Sequence, residues 1–123
     1  MVNLNDLPKI FALSPEELWK WLDANFNRTL PCPATSQEFA AHKHLLGELT
    51  NTYSFLNSLL AYAGIQVRNA QRAKNKELLD DCRSRRDTIE LFAKNALQQY
   101  NAFSRMMTAQ KQADEELRML GEG

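Results

Sequence analysis

Two seams of apolar positions organise the stretch from Phe39 to Phe103. The first runs Leu46, Leu49, Tyr53, Leu56, Leu60, Ala63, Val67 and Ala70, in steps that alternate three and four. That spacing is the inner edge of a coiled-coil helix. The second runs Leu79, Cys82, Arg86, Ile89, Ala93, Ala96, Tyr100, Phe103 and Met107 with the same alternation. Carrying the first seam past Ala70 would place Lys74, Glu77 and Asp81 inside. The seams are therefore out of phase by about half a helical turn, and the chain is expected to double back between Arg72 and Lys76. Facing residue numbers in an antiparallel hairpin sum to a constant. Here Ala70 meets Leu79, Ala63 meets Arg86, Leu60 meets Ile89, Tyr53 meets Ala96, Leu49 meets Tyr100 and Leu46 meets Phe103, each pair summing to 149. Large residues tend to meet small ones, as interdigitating layers require. The competing reading is one unbroken helix from Ser36 to Met119, because no proline lies in that span.

Local signals set the remaining boundaries. Ser14-Pro15-Glu16-Glu17 starts a helix, with Ser14 as cap, Pro15 at the first helical position and Glu17 completing a capping box. Helix one is expected over 14–27, with Leu18, Trp19, Leu22 and Phe26 on one face and Trp21 beside it. Pro31 and Pro33 mark a linker over 28–35. Thr35 or Ser36 can cap the next helix, with Glu38 in box position from Thr35. Helix two then spans 36–72 and helix three 76–119. Residues 1–13 read as an irregular lead that packs through Leu7, Ile10, Phe11 and Leu13. The whole chain, 1–123, reads as one all-α domain: a long antiparallel hairpin with a short N-terminal helix packed across it.

Such a hairpin carries more apolar surface than its own seam buries. A second stripe on helix two, Phe55, Leu59 and Tyr62, lies beside the first, and helix three adds Leu91, Phe92, Leu97 and Met106. Helix one spans roughly 18 Å, against roughly 50 to 60 Å for each arm. The expected protein interface is therefore Phe55, Leu59 and Tyr62, with Trp19, Trp21 and Phe92 as further anchors.

Composition narrows the function classes. Fifteen basic and fifteen acidic side chains cancel in 123 residues, so the chain is neither a polyanion mimic nor a strongly basic binder as a whole. Leu and Ala are the commonest residues, and Gln, Lys, Arg and Glu are well represented, which is a helical composition. Cys32 and Cys82 stand 50 residues apart without a ligand pattern and read as free thiols in a reducing compartment. The most apolar run, Phe55 to Ile65, is too short to span a bilayer and is interrupted by Asn57 and Ser58. With no signal segment at its start, the chain reads as soluble and cytoplasmic, with no membrane partner.

Candidate chemistry is sparse. His42 and His44, two apart on a helix, point about 200° apart and cannot share a metal. Cys82 reads as a small buried hydrophobe. No glycine-rich phosphate loop, HExxH or CxxC is present. Gly47 and Gly64 are isolated and are read as points of close helix approach. Asp80, Asp81 and Asp87 lie among arginines and read as solvated ion pairs. No catalytic residue, metal ligand or cofactor site is assigned, and an enzyme is not expected.

Charge is most uneven at the bend. Arg68, Arg72, Lys74, Lys76, Arg83, Arg85 and Arg86 lie within about three turns of it, partly offset by Glu77, Asp80, Asp81 and Asp87. This is either a solvated helix end or a patch for nucleic acid or an acidic partner. No aromatic residue sits there to stack on bases. Arg86 takes a seam position opposite Ala63, where its stem can lie along the groove and its head reach water.

The final stretch, Ala96 to Leu120, follows a charged Arg83-Ser84-Arg85-Arg86-Asp87 step and contains Ala102-Phe103-Ser104-Arg105. In size, helical order and that step the chain resembles small helical phage recombination-mediator proteins. The resemblance covers about a fifth of the chain and rests on common helix formers. It implies a ring-like oligomer that binds single-stranded DNA through basic residues, and it transfers no site residue.

The expected function is a non-enzymatic binding or assembly protein that associates through helical faces, as a homo-oligomer or on a protein partner. The alternatives are a nucleic-acid-binding accessory protein that uses the basic bend, and a small inhibitor or adaptor of one foreign host protein.

Overall fold

The computed structural model describes residues 4–26 and 32–122. Residue 27, expected at the end of helix one, and residues 28–31 of the expected linker lie outside the described residues. Among those described the structure is helical and contains no strand. A 3₁₀ turn at Leu4–Asp6 leads into helix α1 (Leu7–Phe11), followed by α2 (Pro15–Asn25) and α3 (Ser36–His42). A 3₁₀ turn at Lys43–Leu45 joins α3 to α4 (Leu46–Arg72), and α5 (Lys76–Glu122) closes the chain.

The hairpin is α4 against α5, 27 and 47 residues long, or about 40 and about 70 Å. The bend is a Schellman cap. Lys74 takes the left-handed conformation at φ 54°. Its N–H donates to the Gln71 carbonyl, and the Asn75 N–H donates to the Ala70 carbonyl. Asn75 then starts α5, its side-chain oxygen accepting from the Leu78 N–H at 3.1 Å. Inside the hairpin Leu56, Ala63, Val67, Ala70, Cys82, Ile89, Ala93 and Ala96 are buried, as the two seams require.

One seam pair differs from expectation. The Tyr53 ring stacks on Tyr100, centroids 5.6 Å apart and planes 13° from parallel, one turn beyond Ala96. Helical side chains lean toward their own N-terminus. Tyr53 therefore leans away from the bend and Tyr100 toward it, so their rings meet between layers.

The N-terminal elements lie across one side of the hairpin. Ser14 caps α2, accepting from the Glu17 N–H at 3.2 Å, and Leu18 and Leu22 are fully buried. Residues 7–11, expected to be irregular, form a helical turn instead. Pro8 suits its start, and Ile10 and Phe11 are buried in the main core. Helix two is likewise not continuous. Thr35 caps α3, accepting from the Glu38 N–H at 3.1 Å, while Glu38 accepts from the Ala34 N–H at 3.0 Å. The 3₁₀ turn then rotates α3 relative to α4. Phe39 comes to rest 6.1 Å from Phe103, and the two form a satellite core with Leu49. No proline or glycine marks that break in residues 36–46; packing of Phe39 accounts for it.

Candidate functional site

The stripe expected to bind a partner is covered by the chain itself. Phe11 meets Tyr62 edge-on at 5.6 Å, and Trp19 meets Phe92 at 5.1 Å. Phe26 stacks on Phe55 at 5.9 Å, with Trp21 at 6.2 Å from the same ring. Phe55, Leu59 and Phe92 are buried; Trp21 and Tyr62 are half-buried, and Trp19 keeps 37% of its surface. Of the six side chains expected at an interface, Phe55, Leu59 and Phe92 are therefore interior in the single chain, Trp21 and Tyr62 lie half under the N-terminal elements, and Trp19 stays exposed. The physical reason is α1: helix one alone is too short to cover the stripe, but Ile10 and Phe11 extend the cover toward the bend.

Leu4, Ile65, Leu78 and Leu91 are singly exposed along the molecule, and the most exposed large apolar side chains lie at the open end of the hairpin. The return arm begins at Ser36, whose level mate by the 149 rule is Ala113. Beyond that point α5 runs past the start of α3, and every residue from Thr108 to Gly121 is exposed. Leu117, Met119 and Leu120 retain 67, 69 and 78% of their surface. Helical spacing sets Met106, Ala109, Ala113, Leu117 and Leu120 on one face. The inner half of that face borders a narrow groove of about 140 Å³ against Ser36 and Phe39 of α3. On the other side of Phe39 lies a wider groove of about 540 Å³, edged by Lys43, His44, Lys111 and Asp114 over Met107. The expected list of site residues omitted Leu117, Met119 and Leu120. The signal was present in the pairing arithmetic: residues past 113 have no number to sum with.

The basic bend divides into paired and unpaired cations. Arg85 turns inward. It reaches Asp81 at 2.7 Å, lies 5.7 Å from the centre of the Phe11 ring, and keeps only 15% of its side-chain surface. It thus anchors α1 and does not belong to an exposed patch. Arg86 meets Asp87 at 3.4 Å and remains partly open to water, as expected for a seam arginine opposite Ala63. Arg68, Arg72, Lys74, Lys76 and Arg83 are exposed and make no ion pair among the described residues.

The other candidate residues stay apart. No three His, Cys, Asp or Glu side chains among the described residues converge on a point that could hold a metal. His42 is half-buried and His44 exposed. Cys82 is buried, and burial together with neighbouring Asp81 pushes its thiol pKa up, partly offset by Arg85. Cys32 is exposed. Neither Gly47 nor Gly64 marks a close approach: a Cβ at either would meet nothing within 4 Å. Among the described residues no helix is long and apolar enough to cross a membrane. Comparison with protein-family models, curated proteins and solved structures finds no match for this chain.

Proposed function

We propose that this chain is a non-enzymatic assembly protein that associates, with itself or with a protein partner, through the apolar face at the open end of the hairpin. The observation that carries this reading is the overhang of α5: Leu117 and Leu120 stand exposed about four and five turns along the helix from Phe103, which is buried in the satellite core. Exposed apolar stripes that continue a core are characteristic of interfaces. The non-enzymatic part rests on the sequence, which carries no nucleophile–base or metal-ligand spacing.

The test is solution mass by light scattering, together with capture from lysate on the immobilised chain. Each is repeated with Leu117→Asp and Leu120→Asp combined. Association that the double variant loses supports the reading. A chain that stays monomeric and captures nothing refutes it. Capture of a single foreign protein identifies the adaptor alternative.

A second reading is supported by the bend. Five exposed cations without ion pairs suit a phosphate backbone, and this favours a nucleic-acid-binding accessory role. Binding to single-stranded DNA should then fall steeply with salt, and reversing Arg72, Lys74 and Arg83 should abolish it. Binding that survives those reversals removes the bend as the contact.

A further inference from the structure

We propose that the occupant of the α5 overhang is a second copy of this chain, laid antiparallel, so that each overhang enters the narrow groove beside the other copy's α3. The proposal rests on the assembly reading above and names its partner.

The contact face is graded along its length. Its inner half carries the small residues Ala109 and Ala113, which line the groove with Ser36. Its outer half carries the large exposed residues Leu117 and Leu120. A two-fold axis at Ala113 makes facing numbers sum to 226. Leu117 then meets Ala109, Leu120 meets Met106, and Ala113 meets its own copy. Leu117 enters the space left by Ala109, as close packing requires, and Leu120 packs on the adaptable Met106 side chain. Parallel pairing would stack leucine on leucine and alanine on alanine, leaving the groove empty.

Charge points the same way. Arg105 and Lys111 lie toward the inner end of this stretch, and Asp114, Glu115 and Glu116 toward the outer end, where Arg118 offsets only one of the three acids. Antiparallel pairing brings the acidic part of one copy toward the basic part of the other, whereas parallel pairing sets like charges level. The groove wall formed by Phe39 belongs to the satellite core, so a second overhang would extend packing that already exists. The contact is isologous and closes on itself, which gives a dimer and not a filament.

The paired stretch, Met106 to Leu120, is about 21 Å long. This is short of what permanent dimers bury, so mass is read from about 5 to about 200 µM. The expected result is a dimer at the upper end. Leu117→Asp with Leu120→Asp should return the mass to that of one chain, with the helicity and melting temperature that the unsubstituted chain shows at its monomeric dilution, because both side chains are exposed in the single chain. Cross-linking is read in a Cys32→Ser background, where the remaining Cys82 is buried. Ala113→Cys should form an interchain disulfide, since the axis brings two Cα atoms within about 4.4–6.8 Å. Leu120→Cys should not, because it faces Met106.

A chain that is monomeric at every concentration overturns the pairing, and the wider reading then rests on capture of a foreign protein. A dimer that survives the two aspartates, fails to link through Ala113→Cys, or links through Leu120→Cys overturns the pairing and leaves self-association through another face.

Discussion

Replacing Lys74 by glycine should stabilise this protein. Lys74 sits at φ 54°, the left-handed position that ends α4, with the two hydrogen bonds of a Schellman cap closing around it. An L side chain in that region costs roughly 1–2 kcal/mol through the clash of its Cβ with the following carbonyl. Glycine removes the clash but leaves the unfolded chain freer, which returns roughly 0.5–1 kcal/mol. The net gain is about 0.5–1 kcal/mol. Unfolding entropy scales with length, so 123 residues give about 0.26 kcal/mol per kelvin, and the melting midpoint should rise by about 2–4 °C. Thermal melting followed by far-UV circular dichroism reads this directly. Lys74→Ala is the control: it removes the same positive charge but keeps the Cβ, and should show no such gain. If Lys74→Gly melts no higher than Lys74→Ala, residue 74 is not left-handed and the chain does not turn there.

Three further outcomes follow from the packing. Gly64→Ala should add about 1 kcal/mol in the same melt, since the site is mid-helix and a Cβ there meets open space; a loss would mean an unseen neighbour. Leu59→Ala should remove about 3 kcal/mol, because Leu59 is fully buried between α4 and the N-terminal cover; a cost below about 1 kcal/mol would place Leu59 back on the surface. Cys32 should react with a thiol reagent at once, and Cys82 only on unfolding. Burial raises the Cys82 pKa, so its contribution to stability is full below the unfolded thiol's pKa and fades as pH climbs through the higher folded value. Cys82→Ala should flatten that alkaline loss in a series of melts across pH.

The hairpin was legible because its signal is redundant. Two seams of eight or nine positions, a phase slip and a constant sum all locate the same bend, and Ser14 and Thr35 punctuate helix starts by local chemistry; Asn75, which caps α5, is not among the expected caps. What was not legible depended on contacts between distant segments. Residues 7–11 are too few to show a helical period, so α1 emerges only when Ile10 and Phe11 find the hairpin. The break at 43–45 has no turn residue of its own and follows from Phe39 meeting Phe103. Arg85 and Arg83 look alike in a charge count. Only the position of Phe11 decides that Arg85 faces inward while Arg83 stays in water.

Coverage of the hairpin is uneven, and this has a consequence for its open end. Near the bend, α1 and α2 lay aromatic rings over both arms, so the helices there are held by tertiary packing. Beyond Ala113 α5 runs past the start of α3. A free helix as short as 114–122 is marginal in water, because fixing each residue gains little beyond one backbone hydrogen bond. The overhang therefore depends on helix propagated from the packed core, and its stability falls toward Gly121. A partner that covers Leu117 and Leu120 removes apolar surface from water and also holds those last turns in place. Binding and ordering of the overhang are then one event.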